Sequence, residues 1–314
     1  MARAGEEDKL FEDGDAASAA YRNLRDDEQA AEWKAFCELL WSRYRPYADP
    51  HFRTEIKSQF DQRFWEMYLG VTFLDRGYKL HKLKDGGPEF GIDIKGVRYW
   101  FDAIAPTSGT GPDAVPELEF GKPAASDVPE KQIILRITHA LDEKRKKWRK
   151  DLASGRVSER DGFIVAINGR SIRGGLFGGD VPYVAKALYG LGHLVVSFDR
   201  KTLKPVDWGY EYRPSIAKAS GTEISTQPFA NKECPEVSAV LFSNIDAANV
   251  WGYLGDNLQV LQNDSPNVPL PRGALRFWRE YWPAGGKLRT KDWSRDWIWQ
   301  FRLRLQRFLA RLFV

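Results

Sequence analysis

The sequence is poor in the residues that build disulfide frameworks and soft-metal centres. Two cysteines, two methionines and four histidines occur among 314 residues. Cys37 and Cys234 are far apart and have no Cys or His neighbours at metal-ligand spacing, which excludes a disulfide framework and argues against a structural zinc site. His139 and His193 lack a partner at ligand or triad spacing, and no serine lies in a nucleophile-elbow setting. Covalent catalysis is therefore disfavoured, and a reducing compartment fits best.

Long apolar runs are also missing. A bilayer span needs roughly 18 consecutive apolar residues, and even residues 303–314 are interrupted by Arg304, Arg307 and Arg311. Residues 1–15 are acidic and do not have the basic start and apolar run of a secretory signal. We therefore expect a cytoplasmic protein with no membrane partner.

Aromatic and apolar residues are plentiful enough for a folded core. The chain is 43% hydrophobic and contains 12 Trp, 12 Tyr and 18 Phe, which excludes disorder of the whole chain. Residues 1–29 are charged, and we expect a mobile leader that becomes helical towards its end. Residues 30–271 would form the core, and residues 272–314, rich in Trp and Arg, a basic helical appendage.

The apolar pattern alternates between the spacing of helices and that of strands. Helices are expected at 32–44, 53–74, 138–152 and 182–189, and strands at 78–83, 90–94, 97–104, 132–137, 162–167, 193–198 and 237–242. Such alternation is typical of an α/β sheet. Residues 106–130, rich in Pro and Gly, form a long excursion of the kind that is usually functional or mobile.

A predicted hairpin carries the most informative pair of acids. Lys95 and Gly96 suit a two-residue turn, which fixes the register and places Glu89 across from Asp102. Facing carboxylates repel unless a cation lies between them. Because Mg²⁺ is commonly held by one or two carboxylates with water and phosphate, we expect Mg²⁺ or Mn²⁺ at this pair.

The sequence around these acids resembles the restriction-endonuclease-like PD-(D/E)xK nucleases. Residues 87–90, Gly-Pro-Glu-Phe, resemble the first half of their motif, and residues 101–104, Phe-Asp-Ala-Ile, the second. Glu66 matches an acid that many of these families place on the preceding helix. The resemblance implies an α/β fold with a central mixed β-sheet flanked by helices, and a Mg-dependent endonuclease. Glu89 and Asp102 would hold the metal, and Glu66 would bind it or its water.

One motif residue is missing from its usual position. The family places a lysine two residues after the second acid, where this chain has Ile104. Some branches carry that lysine on the following helix, and Lys144 lies on the helical stripe with Leu141 and Trp148 that should face the sheet. Lys144 is therefore the expected catalytic lysine, and Arg136 is expected to clamp a phosphate oxygen.

The same predicted helix carries a dense basic cluster. Six of seven consecutive positions are cationic: Lys144, Arg145, Lys146, Lys147, Arg149 and Lys150. Such a cluster favours a nucleic acid as partner, with Arg145 and Lys147 as substrate-binding residues beside Arg136. DNA rather than RNA follows from the resemblance alone, and a homodimer is a further possibility.

Each assignment has an alternative interpretation. Glu66 would then be a solvated helix acid, Glu89 and Asp102 would point to water from an edge hairpin, and Lys144 would only lie along Trp148. The tripeptide Asp93-Ile94-Lys95 also matches the acid-x-lysine part of the motif, although Lys95 falls in the turn. For the whole protein, the alternative is a catalytically inactive nuclease-fold module for nucleic-acid binding or assembly. The segment after Trp297 could also bind a partner or a membrane surface.

Overall fold

The computed structural model describes residues 9–84, 86–116, 128–173, 181–250, 252–285 and 287–294. The helices in these ranges are α1 (Ala19–Asp26), α2 (Ala31–Tyr44), α3 (Phe52–Ile56), α4 (Phe60–Asp75), α5 (Glu130–Ala153) and α6 (Tyr183–Tyr189). The strands are β1 (Phe90–Ile94), β2 (Val97–Ile104), β3 (Gly162–Asn168), β4 (Leu191–Phe198), β5 (Pro205–Tyr212), β6 (Ser215–Ala217), β7 (Glu223–Ser225), β8 (Ala239–Ser243), β9 (Gln259–Gln262), β10 (Arg279–Ala284) and β11 (Lys287–Asp292).

A seven-stranded mixed sheet organises the protein, with the order β1-β2-β3-β8-β9-β10-β11. Strands β2, β3 and β8 run parallel, as do β9 and β10, and the other neighbours are antiparallel. Helices cover the sheet, so the predicted α/β class with a large mixed sheet flanked by helices is confirmed.

Strand β2 separates two apolar layers, because both of its faces are buried. Phe101 and Ala103 belong to the layer that contains the buried residues of α2, α3 and α4. Trp100 and Ile104 belong to the layer of α5 and α6. Since successive side chains of a strand point to opposite faces, Asp102 points towards α5.

The β1–β2 hairpin has the predicted turn and register. Lys95 and Gly96 have φ angles of 51° and 82°, as a two-residue type I′ turn requires. Ile94 pairs with Val97 and Phe90 with Phe101. The next position along each strand therefore places Glu89 beside Asp102.

Several predicted elements differ from the structure. Residues 132–137 are not a strand, because α5 is one continuous helix from Glu130. The expected helix over 53–74 is divided into α3 and α4, and the expected strand over 78–83 is only a bridge between His81 and Gly91. The strand predicted over 193–198 exists as β4, but it pairs with β5 in a separate two-stranded ribbon.

The chain ends also differ from expectation. Leu10 and Phe11 are buried, so the described part of the expected mobile leader is packed on the core, with α1 as its predicted helical end. The described part of the expected C-terminal helical appendage forms β10 and β11, two strands of the central sheet. The remainder of that prediction, residues 295–314, lies outside the described residues.

Among the residues that the structure describes, none of the helices combines the length and apolar character needed to cross a bilayer.

Candidate active site

Glu89 and Asp102 meet at the edge of the sheet, as the register predicts. Asp102 lies on β2 and is 1% exposed. Glu89 immediately precedes β1, is half-buried, and its backbone N–H donates to the Phe101 carbonyl at 2.8 Å. This bond continues the strand ladder by one residue and fixes Glu89 next to Asp102.

Helix α5 brings a lysine to this pair. Trp148 stacks on Phe163 of β3, with ring centroids 4.4 Å apart and an interplanar angle of 6°, and Leu141 is buried on the same helical stripe. This packing orients the stripe towards the sheet. Lys144 Nζ donates to Asp102 Oδ1 at 2.7 Å, which is the predicted placement of Lys144.

A second lysine reaches the same carboxylate. Lys147 Nζ lies 2.9 Å from Asp102 Oδ2, whereas we expected Lys147 to face substrate outside the site. Burial alone would lower the pKa of Lys147, but the carboxylates of Asp102 and Glu89 outweigh it and raise that pKa. The sequence did contain a signal for this placement, because Lys147 is three residues after Lys144 and such residues share a helix face.

Glu66 is a fully buried acid on α4 rather than a solvated one. Its Oε1 accepts a hydrogen bond from the Tyr44 hydroxyl and its Oε2 one from Arg63, both at 2.5 Å. Lys82 Nζ lies 3.9 Å from Oε1. Burial, with the carboxylates of Glu66 and Glu89, raises the pKa of Tyr44 well above its ordinary value. Tyr44, Arg63 and Lys82 were not predicted as part of this site.

The carboxylates of Glu66 and Asp102 act electrostatically on Glu89. Burial and the neighbouring carboxylates of Glu66 and Asp102 raise the pKa of Glu89 to about 8, although Lys144 and Lys147 act in the opposite direction. Ionised Glu89 is therefore disfavoured, first by burial and then by its carboxylate neighbours, unless a further positive charge lies beside it. A divalent cation beside Glu89 would relieve this repulsion.

The donor set suits a cation held by two carboxylates better than one held by three. No group of three or more His, Cys, Asp or Glu side chains is arranged to hold a metal ion within the described ranges. Both oxygens of Glu66 accept hydrogen bonds from Tyr44 and Arg63, whereas buried Asp102 Oδ2 has the flexible Lys147 amine as its neighbour, at 2.9 Å. Glu89 and Asp102 therefore fit Mg²⁺ with water and phosphate as its remaining ligands.

Two other predicted residues are engaged in contacts within the protein. Arg145 pairs with Glu236 through Nε at 3.0 Å, and its side chain is only 12% exposed, so it does not point to solvent as a substrate-binding residue should. Arg136 lies within α5 rather than before it, and its Nε donates to the Thr107 carbonyl at 2.8 Å. These contacts depend on segments distant in sequence, which helical periodicity does not reveal.

The alternative acid-x-lysine lies apart from the buried acids. Asp93 is half exposed, pairs with Arg98 and His81, and Lys95 occupies the hairpin turn. This arrangement is a surface ion-pair cluster.

Neither a family model, nor a curated protein, nor a solved structure matches this chain. The buried acids and lysines themselves therefore carry any functional assignment.

Proposed function

We propose that this protein is a Mg²⁺- or Mn²⁺-dependent nuclease that hydrolyses phosphodiester bonds, with DNA as its preferred substrate. One observation carries the proposal: the contact at 2.7 Å between Lys144 Nζ and Asp102 Oδ1, with the Lys144 side chain 11% exposed. A lysine next to the second acid is what the resemblance to the PD-(D/E)xK nucleases requires. Helix α5 supplies this lysine where β2 has Ile104.

The chemistry follows from the charges of these side chains. Hydrolysis joins a water oxygen to phosphorus and breaks a P–O ester bond, and the leaving oxygen takes up a proton. Glu89 and Asp102 would hold the cation, which supplies Lewis-acid stabilisation of the phosphate and activates water. Lys144 would stabilise the negative charge that develops on phosphate oxygens in a shielded site.

Glu66 has a different role in this scheme. Tyr44 and Arg63 hold its carboxylate in one orientation, and a fixed carboxylate next to a metal site orients water or metal ligands. We therefore assign Glu66 to the positioning of water rather than to direct coordination. Of the two roles expected for Glu66 from the sequence, binding the metal or binding its water, this assignment keeps the second.

The test uses the purified full chain with supercoiled plasmid, single-stranded DNA and RNA in Mg²⁺, and again in EDTA. Asp102→Asn should abolish metal-dependent cleavage and leave nucleic-acid affinity unchanged or raised, because it removes a ligand and also a negative charge. Asp142→Asn is the control, since Asp142 is a partly exposed acid on α5 that pairs with exposed Lys146 rather than with a lysine of the site. Equal cleavage by Asp102→Asn and the parent would contradict the proposal.

A second candidate function is nucleic-acid binding without hydrolysis. The observation that favours it is that lysine amines lie within ion-pair distance of both Asp102 oxygens, at 2.7 and 2.9 Å. Two permanent lysine partners would leave no position for a metal at Asp102. Binding that persists in EDTA, with no cleavage in Mg²⁺ or Mn²⁺, would support this function over the nuclease.

A further inference from the structure

Asp151 is a buried carboxylate next to the candidate active site that the proposed chemistry does not use. It lies on α5, is 2% exposed, and has one oxygen paired with Arg156 at 3.0 Å. Its other oxygen, Oδ2, is buried without a hydrogen-bond partner in the described part of the chain. A buried acceptor without a partner is unfavourable, so a charged donor that reached this oxygen would be stabilised there.

The position of this oxygen links it to both halves of the site. A Cβ atom built on Gly87 would lie 3.9 Å from Asp151 Oδ2, so the oxygen faces the turn that carries Glu89. Asp151 is also four residues after Lys147 on α5, and residues at that spacing are neighbours on one helix face. The charge of Asp151 contributes to the raised pKa of Lys147.

Lys147 is therefore paired with Asp102 and has a second carboxylate, Asp151, one turn further along α5. Its amine is 2.9 Å from Asp102 Oδ2, an oxygen that is buried and has this amine as its charged neighbour. A divalent cation that binds Asp102 Oδ2 must displace the Lys147 ammonium or be repelled by it at close range. A displaced ammonium needs another buried acceptor, because an unpaired buried charge is costly.

We propose that Asp151 is a positioning residue that receives the Lys147 ammonium when a divalent cation binds at Asp102. The exchange moves the ammonium from Asp102 of β2 to Asp151, one turn after Lys147 on α5, and lets the metal enter without burying an unpaired lysine. This inference rests on the proposed metal-dependent function. It names Lys147 and Asp151 as the residues that would allow the metal to reach Asp102.

The test is Mn²⁺ binding by calorimetry to the full chain, without nucleic acid. Asp151→Asn should weaken Mn²⁺ affinity by about tenfold, a typical coupling between two sites, because Lys147 then has no charged acceptor. Lys147→Met removes the competing ammonium and should tighten Mn²⁺ binding. In the Lys147→Met background, Asp151→Asn should cost only a small part of its effect in the parent. Asp142→Asn, on the same helix, is the control and should bind as the parent does.

The outcomes separate this inference from the function on which it rests. Loss of Mn²⁺ binding in Asp102→Asn, with unchanged binding in Asp151→Asn, would overturn the exchange and leave the metal site standing. An equal effect of Asp151→Asn with and without Lys147 would also overturn it, since Asp151 would then act on the metal directly. Absence of Mn²⁺ binding by the parent protein would overturn both proposals. A crystal structure with Mn²⁺ should show the Lys147 amine bonded to Asp151 Oδ2, and an amine still on Asp102 would refute the exchange.

Discussion

Single side chains set the charge balance of the candidate site. Asp102 has two lysine partners at 2.7 and 2.9 Å, and Glu66 has a tyrosine and an arginine. The pKa of Glu89 is raised by burial and, after it, by the carboxylates of Glu66 and Asp102. The acids therefore differ: Glu66 and Asp102 already have hydrogen-bonding or ion-pair partners, whereas ionised Glu89 requires a further positive charge.

Replacing Lys144 by Ala should lower the cleavage rate by roughly a hundredfold or more, as expected when one charge-stabilising group is lost from a catalytic site. Nucleic-acid affinity should change little, because the side chain is buried against Asp102. The measurement is single-turnover cleavage at saturating DNA. Lys146→Ala, whose side chain is 66% exposed on the same helix, is the control and should keep the parental rate. A lower rate in the control than in Lys144→Ala would contradict the assignment.

The stability of the metal-free protein should depend on pH through Glu89. The pKa of this group is raised from 4.5 to about 8 in the folded protein, so the folded state binds the proton more tightly than the unfolded chain. The stability this contributes is present at low pH and is lost as pH rises through the folded pKa. Between pH 5 and 9, the Tm of the parent should therefore fall more steeply than that of Glu89→Gln, which stays neutral.

Mg²⁺ should oppose that loss at pH 8, because it stabilises the ionised carboxylate. Glu143→Gln, an exposed change on α5, is the control and should follow the parental pH profile. Identical profiles for the parent and Glu89→Gln would show that Glu89 does not titrate in this range.

Among the elements, α5 connects Lys144, the proposed catalytic lysine, to the core. Trp148 stacks on Phe163 one turn after Lys144, so the register of the helix against β3 determines where Lys144 points. The sequence predicted this stripe and the hairpin register because both depend on local periodicity and a two-residue turn. It failed at the start of α5, because a short apolar run such as Gln132–Ile137 has no periodicity that separates strand from buried helix.

Trp148→Ala should lower the free energy of unfolding by about 3–5 kcal/mol, the usual cost of removing a large buried aromatic side chain. It should also reduce the cleavage rate, since the helix that carries Lys144 loses its anchor on β3. Urea denaturation measures the first effect. Trp148→Phe keeps an aromatic ring over Phe163 and should lose less of both, and equal losses for the two variants would argue against a specific role of the stack.

At the scale of the whole molecule, pairings distant in sequence completed the sheet. Arg279 pairs with Gln259 and Asp292, which makes β10 and β11 sheet strands, although their Trp and Arg content favoured a helix. The ribbon of β4 and β5 likewise required a partner that local patterns do not identify. Several apolar residues of this ribbon are exposed, including Val195, Phe198 and Tyr212. The sequence instead predicted that residues 193–198 form a strand of the central sheet.

The distribution of charge over the molecule, rather than its net value of +4, should govern nucleic-acid binding. On α5, Lys144 and Lys147 form ion pairs with Asp102, and Arg145 and Arg149 form ion pairs with Glu236. Lys146 and Lys150 are exposed on the outer face of the same helix. These two lysines are therefore better candidates for phosphate contacts than Arg145 and Lys147, which the sequence favoured.

Replacing both Lys146 and Lys150 by Gln should weaken duplex binding and reduce the dependence of affinity on salt. Each phosphate contact contributes about −0.9 to the slope of log K against log salt concentration, so the slope should become less negative by about 1.8. Fluorescence anisotropy from 50 to 300 mM salt measures this change. The Arg double variant keeps both charges and should keep the parental slope, and cleavage at saturating DNA should be unchanged in both variants. An unchanged slope in the Gln variant would show that nucleic acid does not contact this face of α5.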